Sequence, residues 1–249
     1  MYRFALRPLW LLSHLFAVAV IVDFVLLGLW QLDRHDQRAD RNATVDARTE
    51  RPAVPISTAL DEVDDPDELR FRTVTAAGTF DEGVLLVDNR SKDGLPGVWV
   101  LSPLRLDDGS VLVVNRGFQF PEGGEVDPPD VPRGKVTLEG TVATWEDRDC
   151  GVRRDDVGDP VGTACLLRSA AEEAFGGDVA PIVVQRQVSD PPAPDVLAPV
   201  PLPELDAGPH RSYAFQWFTF AVIVAVVYPL ILRRVARGST VVEDEASAG

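Results

Sequence analysis

The chain has 249 residues, and 24 Lys plus Arg against 39 Asp plus Glu leave a formal net charge of −15. Neutralising phosphates needs a basic surface, so this balance excludes a nucleic-acid binder. The 19 glycines and 20 prolines exclude a long helical rod, and the 2 cysteines exclude a disulfide-dense miniprotein or a four-Cys zinc site.

In chain order, residues 1–8 form a short N-terminus, and residues 9–30 (LWLLSHLFAVAVIVDFVLLGLW) predict a first transmembrane helix. As a helix this run crosses the roughly 30 Å hydrocarbon layer, with Trp10 and Trp30 at the interfaces. It exceeds the apolar core of a signal peptide, and WQLDR follows where a small-residue cleavage site would stand, so it reads as an uncleaved anchor. Asp23 costs roughly 2.5–3.5 kcal/mol at a helix centre and less off-centre. It either meets a partner helix or is a carboxyl that is protonated or reaches toward the outer surface. His14 is expected to snorkel to the interface.

Residues 31–69 read as a juxtamembrane helix and an acidic linker, in which DEVDDPDE lacks calcium-loop order and is a solvated loop. Residues 70–189 change to strand periodicity. Strands are predicted at 71–80, 84–89, 98–106, 111–118, 136–145 and 182–188, with DEG, KDGLPG and DDG turns between the early ones. Arg168–Phe175 predicts a short helix capped by Ser169 and ended by Gly176. The expected fold is a mainly β extracytoplasmic domain, a small antiparallel barrel or sandwich with a short helix, between two transmembrane α-helices.

Residues 190–212 hold seven prolines and predict an extended strap over the domain surface. Residues 213–232 (YAFQWFTFAVIVAVVYPLIL) predict the second transmembrane helix, and 233–249 a cytoplasmic tail. Arg233, Arg234 and Arg237 follow the second span, while Arg3 and Arg7 precede the first. The positive-inside rule therefore puts both termini in the cytoplasm and the central domain outside the cell membrane. Residues 31–212 carry 19 basic and 35 acidic side chains, so the acidity belongs to that domain.

Catalytic constellations are missing. The three histidines are not in HExxH spacing, GxSxG and Walker loops are absent, and Glu122/Glu125 is an unremarkable pair in so acidic a chain. The chain reads as non-enzymatic. Cys150 and Cys165 flank one loop region, where a disulfide is the better reading and a copper-thiolate pair the sharper one.

Three stretches carry a resemblance. Gly28-Leu29-Trp30-Gln31-Leu32-Asp33-Arg34 closes the first span. Arg72-Thr73-Val74, Gly78-Thr79-Phe80, Asp88-Asn89-Arg90, Gly94-Leu95-Pro96-Gly97 and Val113-Val114-Asn115-Arg116-Gly117 follow in order. His210-Arg211-Ser212-Tyr213-Ala214 then leads into Trp217-Phe218. Together they resemble the SURF1/Shy1 family of cytochrome c oxidase assembly factors, most of all its actinobacterial members. Phe118 departs from the Trp common in the family at that position.

The resemblance implies help in building subunit I of an aa3-type oxidase, with haem a held during insertion. Subunit I, other oxidase components and haem A synthase are the implied partners. A stably bound, non-catalytic oxidase or supercomplex subunit without haem is the alternative. Such a carrier needs an axial nitrogen, an apolar wall and cations. His210 would be the axial ligand, with Tyr213 and Trp217 at i+3 and i+7 as wall. Arg34, Arg38 and Arg41 share a stripe for propionates or lipid phosphates, and His35 is a weaker ligand candidate. Trp30, Gln31, Arg34, Arg90, Gly97, Arg116 and Gly117 are the structural motif positions. Gly94, Gly97 and Gly117 read as turn or bulge residues, and Arg90 and Arg116 as members of acid pairs or a docking surface.

Overall fold

The computed structural model describes residues 6–124 and 126–247, with side chains described through Arg237. Arg3 and Glu125 lie outside the described residues. The chain forms two compact units, one of residues up to 44 together with those from 205 onward, the other of residues 45–204.

The first unit is built from two long helices, α1 (Pro8–Thr49) and α4 (His210–Ser247). Both are long and apolar enough to cross a membrane. No proline interrupts α1 after its first residue, so the apolar run and the polar segment after it form one helix of 42 residues. The segment expected as a tail from 233 continues α4, because extending a formed helix is far cheaper than starting one. Pro229 lies inside α4.

The helices run antiparallel, and Gly28 sets their approach. A Cβ at Gly28 would stand 2.6 Å from Cε1 of Phe218, so any larger residue would force that ring to move. Phe24 packs on Trp217 at 5.6 Å and on Phe220 at 5.7 Å between ring centroids. Toward the other end, Ser13 Oγ and the Tyr228 hydroxyl are 2.8 Å apart, and His14 Nδ1 also meets that hydroxyl. His14 thus bonds across the helix pair.

The second unit is mainly β. Its elements are β1 (Val54–Pro55), α2 (Ile56–Asp61), β2 (Thr73–Phe80), β3 (Leu85–Lys92), β4 (Leu95–Leu106), β5 (Val111–Gln119), β6 (Lys135–Thr144), β7 (Val152–Arg154), β8 (Pro160–Thr163), α3 (Arg168–Phe175) and β9 (Ile182–Asp190). The strand order is β1-β2-β6-β9-β5-β4-β3-β8-β7, and β2 also pairs with β4. Pairing therefore runs in a closed circuit through β2, β6, β9, β5 and β4.

The sheet is mixed rather than antiparallel. β9 pairs β5 in parallel, as do β8 with β3 and β1 with β2. The long excursion from residue 145 to 181 brings β9 in beside β5 in the same direction, which a tight hairpin cannot do. β5 is buried along nearly its whole length because both its faces are covered. Leu112 and Val114 join a cluster with Val74, Leu104 and Ile182, while Val113 joins one with Leu85, Leu101 and Ala171 of α3.

Local chemistry explains several boundaries. Lys92 pairs with Leu95, leaving Asp93-Gly94 as a two-residue turn with φ of 54° and 76°. Positive φ at both central residues is the hairpin turn whose twist matches the strands. Gly97 is neither turn nor bulge. It lies within β4, where a Cβ would come within 2.4 Å of Phe118 Cζ and 2.5 Å of Gln119 O. The helix α3 is capped at Leu167 without a side-chain bond, so Ser169 sits inside it. Gly176 closes it in the left-handed conformation at φ 71°.

Cys150 and Cys165 form a disulfide at the base of the β7–β8 hairpin. The Pro-rich segment straps the sheet. Ala198 exchanges two backbone hydrogen bonds with Phe118, at 2.7 and 2.9 Å, and Gln187 Nε2 donates to Val200 O.

Candidate functional site

The start of α4 carries the chemistry. Asp206-Ala-Gly208-Pro209 precedes the helix, and the Pro209 carbonyl accepts from Ser212 N, Tyr213 N and Ser212 Oγ. That bonding fixes the first turn, and with it the side chain of His210. Its Nδ1 stands 2.9 Å from Gln31 Oε1 on α1. With Oε1 assigned as acceptor, Nδ1 is the donor of this bond, and Nε2 is the nitrogen outside it.

Gly208 leaves room beside that nitrogen. Its φ is 65°, and a Cβ there would lie 3.3 Å from His210 Nε2, 3.2 Å from Cδ2 and 3.6 Å from Arg38 Cδ. Arg38 in turn holds the segment before α4. Its guanidinium pairs with the Asp206 carboxylate and donates from Nε to the Asp206 carbonyl at 3.1 Å. Asn42 Nδ2 donates to the same carbonyl at 2.8 Å. One imidazole is thus oriented from α1, with a cation beside it and a small residue below it.

The other predicted residues are distributed differently. Trp217 packs into the helix pair against Phe24, whereas Tyr213 is 48% exposed and Trp30 53%. Of the i, i+3, i+7 set, His210 and Trp217 both meet α1, at Gln31 and Phe24, while Tyr213 is the exposed member. Arg34 is exposed and donates to Gln37 Oε1 on its own helix at 2.9 Å, and Arg41 is exposed. Asp33 accepts from Gln37 rather than from an arginine. His35 is half-buried, with Nδ1 buried and unpartnered. Asp23 is exposed.

The second unit places the remaining motif residues. A bulge between Val87 and Arg90 holds Asn89 at φ 56°, a conformation asparagine tolerates. Arg90 reaches Glu146 at 3.4 Å and lies 4.2 Å from the Trp99 ring, while Asp88 is taken by Arg153 at 3.2 Å. Burial, partly offset by Glu146, lowers the Arg90 guanidinium from its ordinary value. Arg116 forms no ion pair among the described residues. It donates to the Pro129 and Asp130 carbonyls at 2.8 and 2.7 Å and is 3% exposed, so it is no docking surface. Gly117 follows it in a β5 bulge at φ 149°, with a Cβ position 2.6 Å from Ala198 O. That close approach lets the strap lie on β5.

Asp206, Asn42 and Gly208 escape sequence reasoning. The signal for Asp206 and Gly208 is the Asp-x-Gly-Pro run just before His210, which reads as a linker until the neighbouring helix is in view; Asn42 has none. Among the described residues, no group of three or more His, Cys, Asp or Glu could hold a metal ion.

The architecture is that of a mainly β domain set in the chain between two membrane-capable helices, with the polar site where the second helix begins. The chain matches the SURF1 family over residues 18–222. It is 30% identical over 230 residues to uncharacterised SURF1-like proteins of Mycobacterium bovis and Mycobacterium tuberculosis, covering 90% of this chain and 83% of theirs. A SURF1-like protein of Rickettsia bellii is 24% identical over 245 residues, covering 94% of this chain and 99% of its own. This chain belongs to the SURF1 family, which is known as a family of cytochrome oxidase assembly factors and not of catalysts.

Proposed function

We propose that this protein assists assembly of an aa3-type cytochrome c oxidase by holding haem a before its insertion into subunit I. The observation that carries the reading is the His210–Gln31 hydrogen bond, which commits Nδ1 and leaves Nε2 as the coordinating nitrogen, with space kept by Gly208. Haem a is cargo here. Nε2 of His210 would take its iron, the Arg38 guanidinium would meet a propionate in exchange for Asp206, and Tyr213 would offer an exposed ring. Arg34, being exposed, is free to turn to a second propionate.

Both helix ends are taken to lie in the cytoplasm, with the β domain outside. Arg7 at one end and Arg233, Arg234 and Arg237 at the other support that orientation. So does the Cys150–Cys165 bond, which suits an oxidising compartment.

The test is co-production with haem A synthase, followed by the absorption spectrum of the purified protein. A Soret band that disappears in His210→Ala is expected. A band unchanged by that substitution removes the axial ligand. A haem-free protein recovered stoichiometrically with mature oxidase replaces the carrier reading with that of a permanent accessory subunit.

A further inference from the structure

Arg116 and Arg186 are the charged side chains that the β unit buries most deeply among the described residues, at 3% and 7% exposure. Their position follows from two irregularities. β5 carries a bulge at Arg116, opposite Val100 and Leu101 of β4, and β9 carries one at Gln187, opposite Glu139 and Gly140 of β6. β5 and β9 pair in parallel up to Asn115 and Gln185, so the two arginines follow the ladder side by side. Bulges re-aim side chains, and here both guanidiniums line one cavity.

A buried arginine ordinarily meets a carboxylate. These two meet only neutral carbonyls. Arg116 donates to Pro129 O and Asp130 O, and Arg186 donates from Nε to Arg116 O at 2.6 Å and from Nη2 to Leu197 O at 2.9 Å. About three of the five donors on each guanidinium therefore have no acceptor among the described residues. Burial pushes Arg116 down to about 10, repulsion from Arg186 adds to the shift, and Asp130 opposes it. Burial likewise lowers Arg186. Asp130 lines the cavity, but it is exposed and its carboxylate forms no ion pair with either arginine. Two cations thus stand over one solvated anion.

The cavity is about 190 Å³, and its other walls are mostly apolar, including Phe80, Val136, Leu138, Pro192 and Ala193. We propose that it binds a small monocarboxylate with an apolar body, the carboxylate bridging Arg116 and Arg186 and the body lying against Phe80 and the prolines. A desolvated pair of guanidiniums gains most from a planar carboxylate, which accepts from both forks at once. The apolar walls select against a fully hydrated inorganic anion. This site lies in the β unit and is independent of the haem reading.

Calorimetric titration of the full-length protein, in nanodiscs of zwitterionic lipid, tests it with sodium benzoate, benzyl alcohol and inorganic phosphate. Saturable one-to-one binding of benzoate is expected, with benzyl alcohol and phosphate each about ten-fold weaker or more, the worth of a charge-assisted hydrogen bond. Arg186→Gln should weaken benzoate by a similar factor. Ala193→Trp should abolish binding by filling the cavity without touching either guanidinium, and it decides the matter if Arg186→Gln fails to fold. Absence of saturable benzoate binding by folded protein overturns the proposal. So do undiminished binding in Ala193→Trp, and phosphate or benzyl alcohol binding as tightly as benzoate.

Discussion

The Nδ1 atom of His210 and the side-chain oxygen of Gln31 lie 2.9 Å apart across 179 positions of sequence. This contact joins the residues that close the first apolar run to those that open the second. It sets which imidazole nitrogen is spent on structure and which remains for a ligand.

Gln31→Leu removes the acceptor and frees the imidazole to rotate. In protein loaded by co-produced haem A synthase, haem retention through purification should fall roughly 10–100-fold, the usual loss when a ligand histidine loses its orienting partner. Gln31→Glu keeps an acceptor and should restore most of it. Equal retention in wild type and Gln31→Leu would disconnect this hydrogen bond from cargo binding.

Gly97→Ala places a Cβ against Phe118 Cζ and the Gln119 carbonyl. Overpacking of this kind costs about 1–3 kcal/mol, so the thermal midpoint should drop by several degrees. Adding Phe118→Leu should recover only part of the loss, because the backbone oxygen cannot retreat as a ring can. Full recovery in the double variant would leave the carbonyl contact without consequence.

The Cys150–Cys165 bond closes a segment with a sequence separation of 15 and anchors the β7–β8 hairpin. In the chain-entropy account its loss costs roughly 3 kcal/mol. Chemical unfolding of Cys150→Ser/Cys165→Ser, compared with the oxidised protein, should show a lower midpoint. The β7–β8 amides should also exchange faster with solvent, while the β5 and β9 amides keep their protection.

The Arg154 guanidinium donates to both oxygens of Glu173, linking β7 to α3, and this hydrogen bonding holds the Glu173 carboxyl below its ordinary value. A depressed carboxylate adds stability that is present above its unfolded-state value and lost as pH falls through the folded one. Titration followed by carboxyl-carbon NMR should find Glu173 below the ordinary glutamate range. Arg154→Gln should return it there, and a midpoint insensitive to that substitution would deny the pair any influence.

Much of the architecture was legible because it is written in local pattern. Both apolar runs became helices, and the six predicted strands lie within a few residues of β2, β3, β4, β5, β6 and β9. Arg168–Phe175 matches α3 end to end, since amphipathic spacing and a terminal glycine are local signals. The short strands β1, β7 and β8 were invisible. Two to four residues carry too little periodicity, and only pairing with a neighbour defines them.

The site was legible as a set of residue types and not as an arrangement. The sequence singled out His210, Gln31 and Arg38, but neither the His210–Gln31 bond nor the capture of Asp206 by Arg38 follows from spacing. Helical spacing put Tyr213 and Trp217 beside His210, but it carried no sign that Trp217 packs on Phe24.

By itself, then, the sequence determined the two apolar helices, the strand-rich centre, its acidity and the family likeness, all of which rest on short-range periodicity, composition and ordered motifs. Tertiary structure alone decided which way β9 pairs, how the bulges gather Arg116 and Arg186 over one cavity, and which nitrogen of His210 stays free. The physical reason is shared by all three. Register and side-chain hydrogen bonds between distant segments are settled by burial and close packing after the chain has folded, and neighbouring residues in sequence hold no record of them.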